Sequence, residues 1–107
     1  MSAQLARPNP CFNLGQIVAT SGAIEALAEV NCLPITLLNR HQSGDWGNLC
    51  DEDKAANNEA LGNWTRLFSA YIIQDVKFWV ITEADRSATT ILPLKILETE
   101  RQRSEDF

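Results

Sequence analysis

The stretch His41-Gln42-Ser43-Gly44-Asp45-Trp46-Gly47 holds the chain's single histidine, a carboxylate, an indole and two glycines. If a helix ends near Gly44, the Asp45 carboxylate can hold one imidazole N–H of His41 and leave the other nitrogen to act as a general base. A plainer arrangement puts His41 on the last turn of that helix, where a cation is favourable, with Asp45 shaping the turn that follows. Trp46, set beside small residues, is either an exposed aromatic anchor for a partner or a side chain folded back over the core.

A second polar cluster, Thr82-Glu83-Ala84-Asp85-Arg86-Ser87, interrupts a β-forming region. Glu83 and Asp85 could join His41 in acid–base work or hold a hard metal ion. That is the enzyme alternative: a small hydrolase-like or metal-binding protein using His41 with Asp45, Glu83 or Asp85. Two carboxylates are too few to specify a metal, and Asp85 and Ser87 are turn formers that need only connect two strands, with Arg86 paired to a neighbouring acid. Cys11, Cys32 and Cys50 could complete a Cys3His zinc set with His41, but the close-spaced cysteine pair of such sites is missing, and reduced thiols are the simpler expectation. Ser87, Thr89 and Thr90 lack the flanking glycines of a nucleophile elbow. No catalytic, cofactor-binding or metal-binding residue is assigned. His41, Asp45, Trp46, Glu83, Asp85 and Arg86 are the candidate partner-binding residues.

These clusters need a scaffold, and the apolar spacing supplies one. Residues 1–10, with Pro8 and Pro10, read as a flexible arm. Gly15 to Thr20 reads as a strand, and Thr20-Ser21-Gly22 then offers N-cap chemistry to a helix carrying Ile24, Leu27 and Ala28. Pro34 suits the opening of a second helix that Gly44 stops. Asp51, Glu52 and Asp53 favour the positive end of a third, which Gly62 would close. Thr65 to Ile73 and Val76 to Thr82 are β-rich runs around Gln74-Asp75, and Ala88 to Leu92 makes a third, with Pro93 confining it to an end or an edge. Residues 95–107 are a charged tail, either a short helix or disordered. The expected fold is α+β: an antiparallel sheet of three to four strands with two or three short helices on one face, hiding Leu27, Leu38, Phe68, Phe78 and Val80.

The chain has 107 residues, 45% of them hydrophobic, enough for one domain (residues 11–94) with its own core. Fourteen acids against nine bases give a net charge of −5, which disfavours direct nucleic-acid binding. No apolar run approaches bilayer length and no signal-peptide pattern opens the chain, so a cytoplasmic protein with no membrane contact is expected. Asp51 to Asp53 could present a negative patch to a basic partner, although helix-start stabilisation explains the run equally well. A sheet of this size also leaves edges through which a homodimer could form, the structural alternative.

Gly44-Asp45-Trp46-Gly47 together with Thr82-Glu83-Ala84-Asp85-Arg86-Ser87-Ala88-Thr89-Thr90, preceded by Arg66-Leu67-Phe68-Ser69-Ala70-Tyr71, resembles a family of small proteins of bacterial plasmids and integrative elements. The likeness runs from about Phe12 to Pro93. Members are called plasmid-related proteins or, in some cases, a subunit of a type I restriction system, yet this chain has neither the length nor the motifs of a methyltransferase. The resemblance implies an accessory protein of a mobile element that binds a protein of the host or of the element, one candidate role being to block a defence such as CRISPR or restriction.

Overall fold

The computed structural model describes residues 11–94; the expected arm (1–10) and tail (95–107) lie outside the described residues. In chain order the elements are β1 (Gln16–Ala19), α1 (Ser21–Glu29), α2 (Pro34–Gln42), α3 (Asp51–Asn63), β2 (Leu67–Ile73), β3 (Val76–Thr82) and β4 (Ala88–Leu94). They build an α+β fold around one four-stranded sheet of order β1-β4-β3-β2. β2, β3 and β4 form an antiparallel meander, and β1 joins its edge parallel to β4, which makes the sheet mixed.

Local chemistry accounts for the boundaries. Thr20 caps α1, its hydroxyl accepting the Ala23 N–H at 3.1 Å. Pro34 opens α2, and Gly44, at φ +90°, takes the chain out of it. The third helix runs through Gly62 instead of stopping there, and ends at Trp64 in the left-handed region. Two contacts hold that uncommon backbone: the Trp64 N–H donates to Ala60 O at 3.1 Å, and the Arg86 guanidinium lies 5.1 Å from the indole centroid. Gln74 and Asp75 both have positive φ, as a two-residue hairpin turn requires. β4 extends through Pro93 to Leu94, beyond the expected Leu92. Ile91 O accepts the Thr20 N–H on the β1 side, so the missing N–H of Pro93, two residues on, faces that same side past the end of β1, while Phe78 of β3 lies on its other side.

Strand alternation divides the sheet into two unlike faces. One face presents Leu67, Ser69, Tyr71, Phe78, Val80, Thr82, Thr89 and Ile91, all buried. Ala23, Ala26, Leu27 and Val30 of α1 and Leu37 and Leu38 of α2 pack against it. A smaller cluster of Trp46, Ala60 and Leu67 continues this layer toward α3. The opposite face carries Phe68, Ala70, Ile72, Lys77, Trp79, Ile81, Ala88, Thr90, Leu92, Gln16 and Val18, and among the described residues no helix covers it. Phe68 therefore does not lie under the helices as expected. It is one residue out of phase with Leu67 and Ser69 and sits half-buried on the open side.

The two sheet edges also differ. Along the outer edge of β2, the Asn57 side chain donates to Phe68 O at 2.7 Å and accepts the Phe68 N–H at 3.2 Å. Ala70 N–H donates to Trp46 O, Asn48 N–H donates to Ala70 O, and Ile72 N–H donates to Asn48 Oδ1. The outward backbone donors of β2 are thus satisfied within the chain, which removes this edge as a template for a second molecule and leaves β1 as the edge for a sheet-edge homodimer. Gly47 makes the approach feasible: at φ +78° a Cβ would collide with Ala70 O. Asn57→Ala leaves two buried backbone groups without partners and should lower unfolding stability by about 2 kcal/mol in urea, with faster hydrogen exchange at Phe68; unchanged stability would show that the amide does not close this edge.

Candidate functional site

His41 is completely buried on the last turn of α2. Its Nδ1 lies 2.5 Å from Ser69 Oγ and its Nε2 2.9 Å from Thr82 Oγ1. Thr82 Oγ1 is 2.7 Å from Thr89 Oγ1, and the Thr89 hydroxyl donates to Leu14 O at 2.7 Å. The carbonyl at the end fixes every proton in the series. Because Thr89 donates to Leu14 it accepts from Thr82, so Thr82 accepts from Nε2–H, and Nδ1 of the neutral ring accepts from Ser69. Burial, reinforced by the Arg86 charge, pushes the imidazole down from 6.5 to about 3, so it is neutral at pH 7. The histidine is therefore not the helix-end cation expected from its position.

Asp45 does not orient this imidazole. Its carboxylate is bonded to Arg40 Nε at 2.7 Å and accepts the Gly47 N–H at 3.1 Å, and the Arg40 hydrogen bond holds its pKa below the usual carboxylate value. The Arg40 guanidinium also stacks over Tyr71, 4.4 Å from the ring centroid. Tyr71 in turn donates its hydroxyl to Asp45 O at 2.6 Å, and burial raises its pKa. The His41–Asp45 dyad, one of the two arrangements weighed from the sequence, is not formed: the two side chains belong to separate networks, one buried and neutral, the other ionic.

Trp46 is 3% exposed and donates its indole N–H to Asn58 Oδ1 at 3.0 Å, so it folds back over the core and is not a surface anchor. Arg86, expected to pair with an acid, is buried and donates to four carbonyls: Thr65, Glu83 and Ala84 from Nη1, and Ala60 from Nη2. Ala60 O, in the last turn of α3, accepts from both the Trp64 N–H and Arg86 Nη2, so the guanidinium ties the helix end to the β3–β4 turn. The Glu83 carboxylate pairs instead with Arg66 at 3.5 Å on the surface. Asp85 is exposed and accepts the Ser87 N–H; hydrogen bonds from Ser87 lower its pKa.

The two polar segments do meet, but inside the protein. The Phe12 ring packs edge-on against His41 at 5.1 Å, stacks with Trp46 at 6.2 Å and lies 5.9 Å from the Arg86 guanidinium carbon. Of the six candidate contact residues, His41, Trp46 and Arg86 are interior, whereas Asp45, Glu83 and Asp85 reach the surface. The three interior residues are engaged in fixing turns and helix ends. The Cys3His arrangement is also not formed, since both ring nitrogens of His41 are engaged and no three His, Cys, Asp or Glu side chains cluster among the described residues.

What remains available is the helix-free side of the sheet. Phe68 and Trp79 pack with ring centroids 5.1 Å apart, and Lys77 Nζ lies 5.6 Å from the Trp79 ring. Trp79 stands opposite Ala70, whose small side chain leaves room for the larger ring to lean toward Phe68. Ile72 and Val18 extend the apolar surface at 44% and 41% exposure. Arg66, Phe68, Trp79 and Ile81 bound a shallow cavity of about 290 Å³. The sequence held a signal for this face: Leu67 to Ile73 and Val76 to Ile81 are apolar at both odd and even positions, a pattern that calls for cover on two sides. The chain matches no protein-family model, no curated protein and no solved structure.

The neutral histidine has a measurable consequence. The unfolded chain takes up a proton near 6.5 and the folded chain only near 3, so this contribution to stability is complete above 6.5 and declines as the pH falls through that window. Unfolding free energy should drop by about 2 kcal/mol between pH 7 and pH 5, above the range where carboxylates titrate, and His41→Gln should remove most of that dependence. Equal stability of the parent protein at the two pH values contradicts the buried neutral ring.

Proposed function

We propose that this protein is a non-enzymatic binding factor, an accessory of a mobile genetic element that docks on a protein of the host or of the element and inhibits a defence system such as CRISPR or restriction. The observation that carries the binding role is the helix-free apolar face of Phe68, Ile72, Trp79, Ile81, Leu92 and Val18. On that face Ile72 and Val18 are 44% and 41% exposed and Phe68, Trp79, Ile81 and Leu92 half-buried, a grouping of apolar side chains of the kind that marks interaction sites on soluble proteins. The resemblance of the Gly44-to-Gly47 and Thr82-to-Thr90 segments to plasmid and integrative-element proteins supports the biological setting. The occupied hydrogen bonds of His41, Trp46 and Arg86 support binding over an active site built on the histidine.

The reading leads to a paired experiment. Host cells carrying a CRISPR or restriction system and expressing the protein should admit a targeted plasmid at least tenfold more often than cells without it. Tagged protein should retain a specific partner. Trp79→Thr with Ile81→Thr, which keeps β-forming residues on the open face, should abolish both effects while leaving the circular dichroism spectrum unchanged. Equal partner recovery from parent and variant would remove the face from the interaction, and unchanged plasmid entry across such hosts would contradict the anti-defence role.

A further inference from the structure

Resting on the binding role above, we propose that the Arg66–Phe68–Trp79–Ile81 cavity receives an apolar side chain from an acidic, extended segment of the partner protein. The cavity, about 290 Å³, has three apolar walls and one guanidinium. That is near the lower limit of about 300–1,000 Å³ typical of small-molecule sites, room enough for an apolar side chain. Charge selects what flanks that side chain. Among the described strands, Gln16–Ala19, Leu67–Ile73, Val76–Thr82 and Ala88–Leu94, the single charged residue is Lys77, and none is acidic. Arg66 adjoins β2, its side chain 63% exposed, and pairs at 3.5 Å with the exposed Glu83. Such a pair contributes little and exchanges readily for a better-placed carboxylate. A chain of net charge −5 therefore presents, on the sheet face that no helix covers among the described residues, a pair of cations flanking an aromatic pair.

Two other occupants fit less well. A second copy placed face to face sets Arg66 and Lys77 against their own kind, with Glu83 as the nearby answering acid. A nucleic acid meets only two cations on a molecule whose overall charge repels phosphate. An acidic segment with an apolar anchor matches both the cations and the cavity between them.

The test uses the full chain and three synthetic peptides: acetyl-Glu-Glu-Leu-Glu-Glu-amide, the same peptide with Gly for Leu, and the version with Lys for every Glu. Titration followed by ¹⁵N–¹H correlation spectra should show saturable shifts at the amides of residues 66–68 and 79–81 with the first peptide. Binding should be at least tenfold weaker with the other two and with the Arg66→Glu and Lys77→Glu variants. The proposal is overturned by no shift at millimolar peptide, by equal binding of the lysine peptide, or by shifts confined to other surfaces. It is also overturned if the free protein dimerises through Trp79, or if deleting residues 95–107 shifts the same amides without peptide, since either assigns the face to another occupant. Peptide failure alongside Trp79-dependent capture of a partner removes the acidic segment and leaves the binding role standing; loss of both removes both.

Discussion

A buried hydrogen-bonded series from Ser69 through His41, Thr82 and Thr89 to Leu14 O ties together five parts of the chain that are distant in sequence. Ser69, Thr82 and Thr89 lie on β2, β3 and β4, His41 on α2, and Leu14 on the segment leading into β1. Each hydroxyl and each ring nitrogen has one role, so the series tolerates only one register between strands and one seating of α2. An apolar core would permit sliding that this series does not, because a slip by one residue would leave buried polar atoms unpaired. The fold's specificity rests here, alongside an apolar core that includes Leu27, Leu37, Tyr71, Phe78 and Ile91.

From that constraint follows an unusual distribution of residue types. The residues with the richest chemistry, His41, Trp46, Asn57 and Arg86, work inward: they fix a tautomer, fill a corner, close a sheet edge and cap a helix. The outward side of the sheet is instead apolar, with two cations at its margins. A small domain must bury what it can, and α1 and α2 cover one face only. Among the described residues no helix covers the other face, and its local charge is opposite in sign to the charge of the whole chain.

Much of the scaffold was legible in the sequence because its signals are local. Thr20 as a cap, Pro34 as a first-turn residue, Gly44 as a helix exit and Gln74-Asp75 between two β runs each carry their meaning within a few residues. The site was not legible, since its determinants are long-range. Nothing near Arg86 shows that its guanidinium reaches Ala60 O across the fold, and nothing near His41 shows hydroxyls from two different strands at its ring. Histidine beside aspartate suggested an acid–base pair because spacing along the chain reveals proximity but not direction, and the two side chains point into different networks. Phe68 was misplaced for a related reason: composition marks it as apolar, but only the phase of β2 decides which face it joins.

The most direct test of the account is the state of the imidazole itself. Long-range ¹⁵N–¹H spectra of the folded protein should show His41 as a single neutral tautomer with the proton on Nε2, unchanged from pH 8 to pH 5, and with its Nε2–H protected from solvent exchange. A ring that titrates near pH 6.5, or that carries its proton on Nδ1, would contradict the series from Ser69 to Leu14 and the interior placement of both polar segments that depends on it.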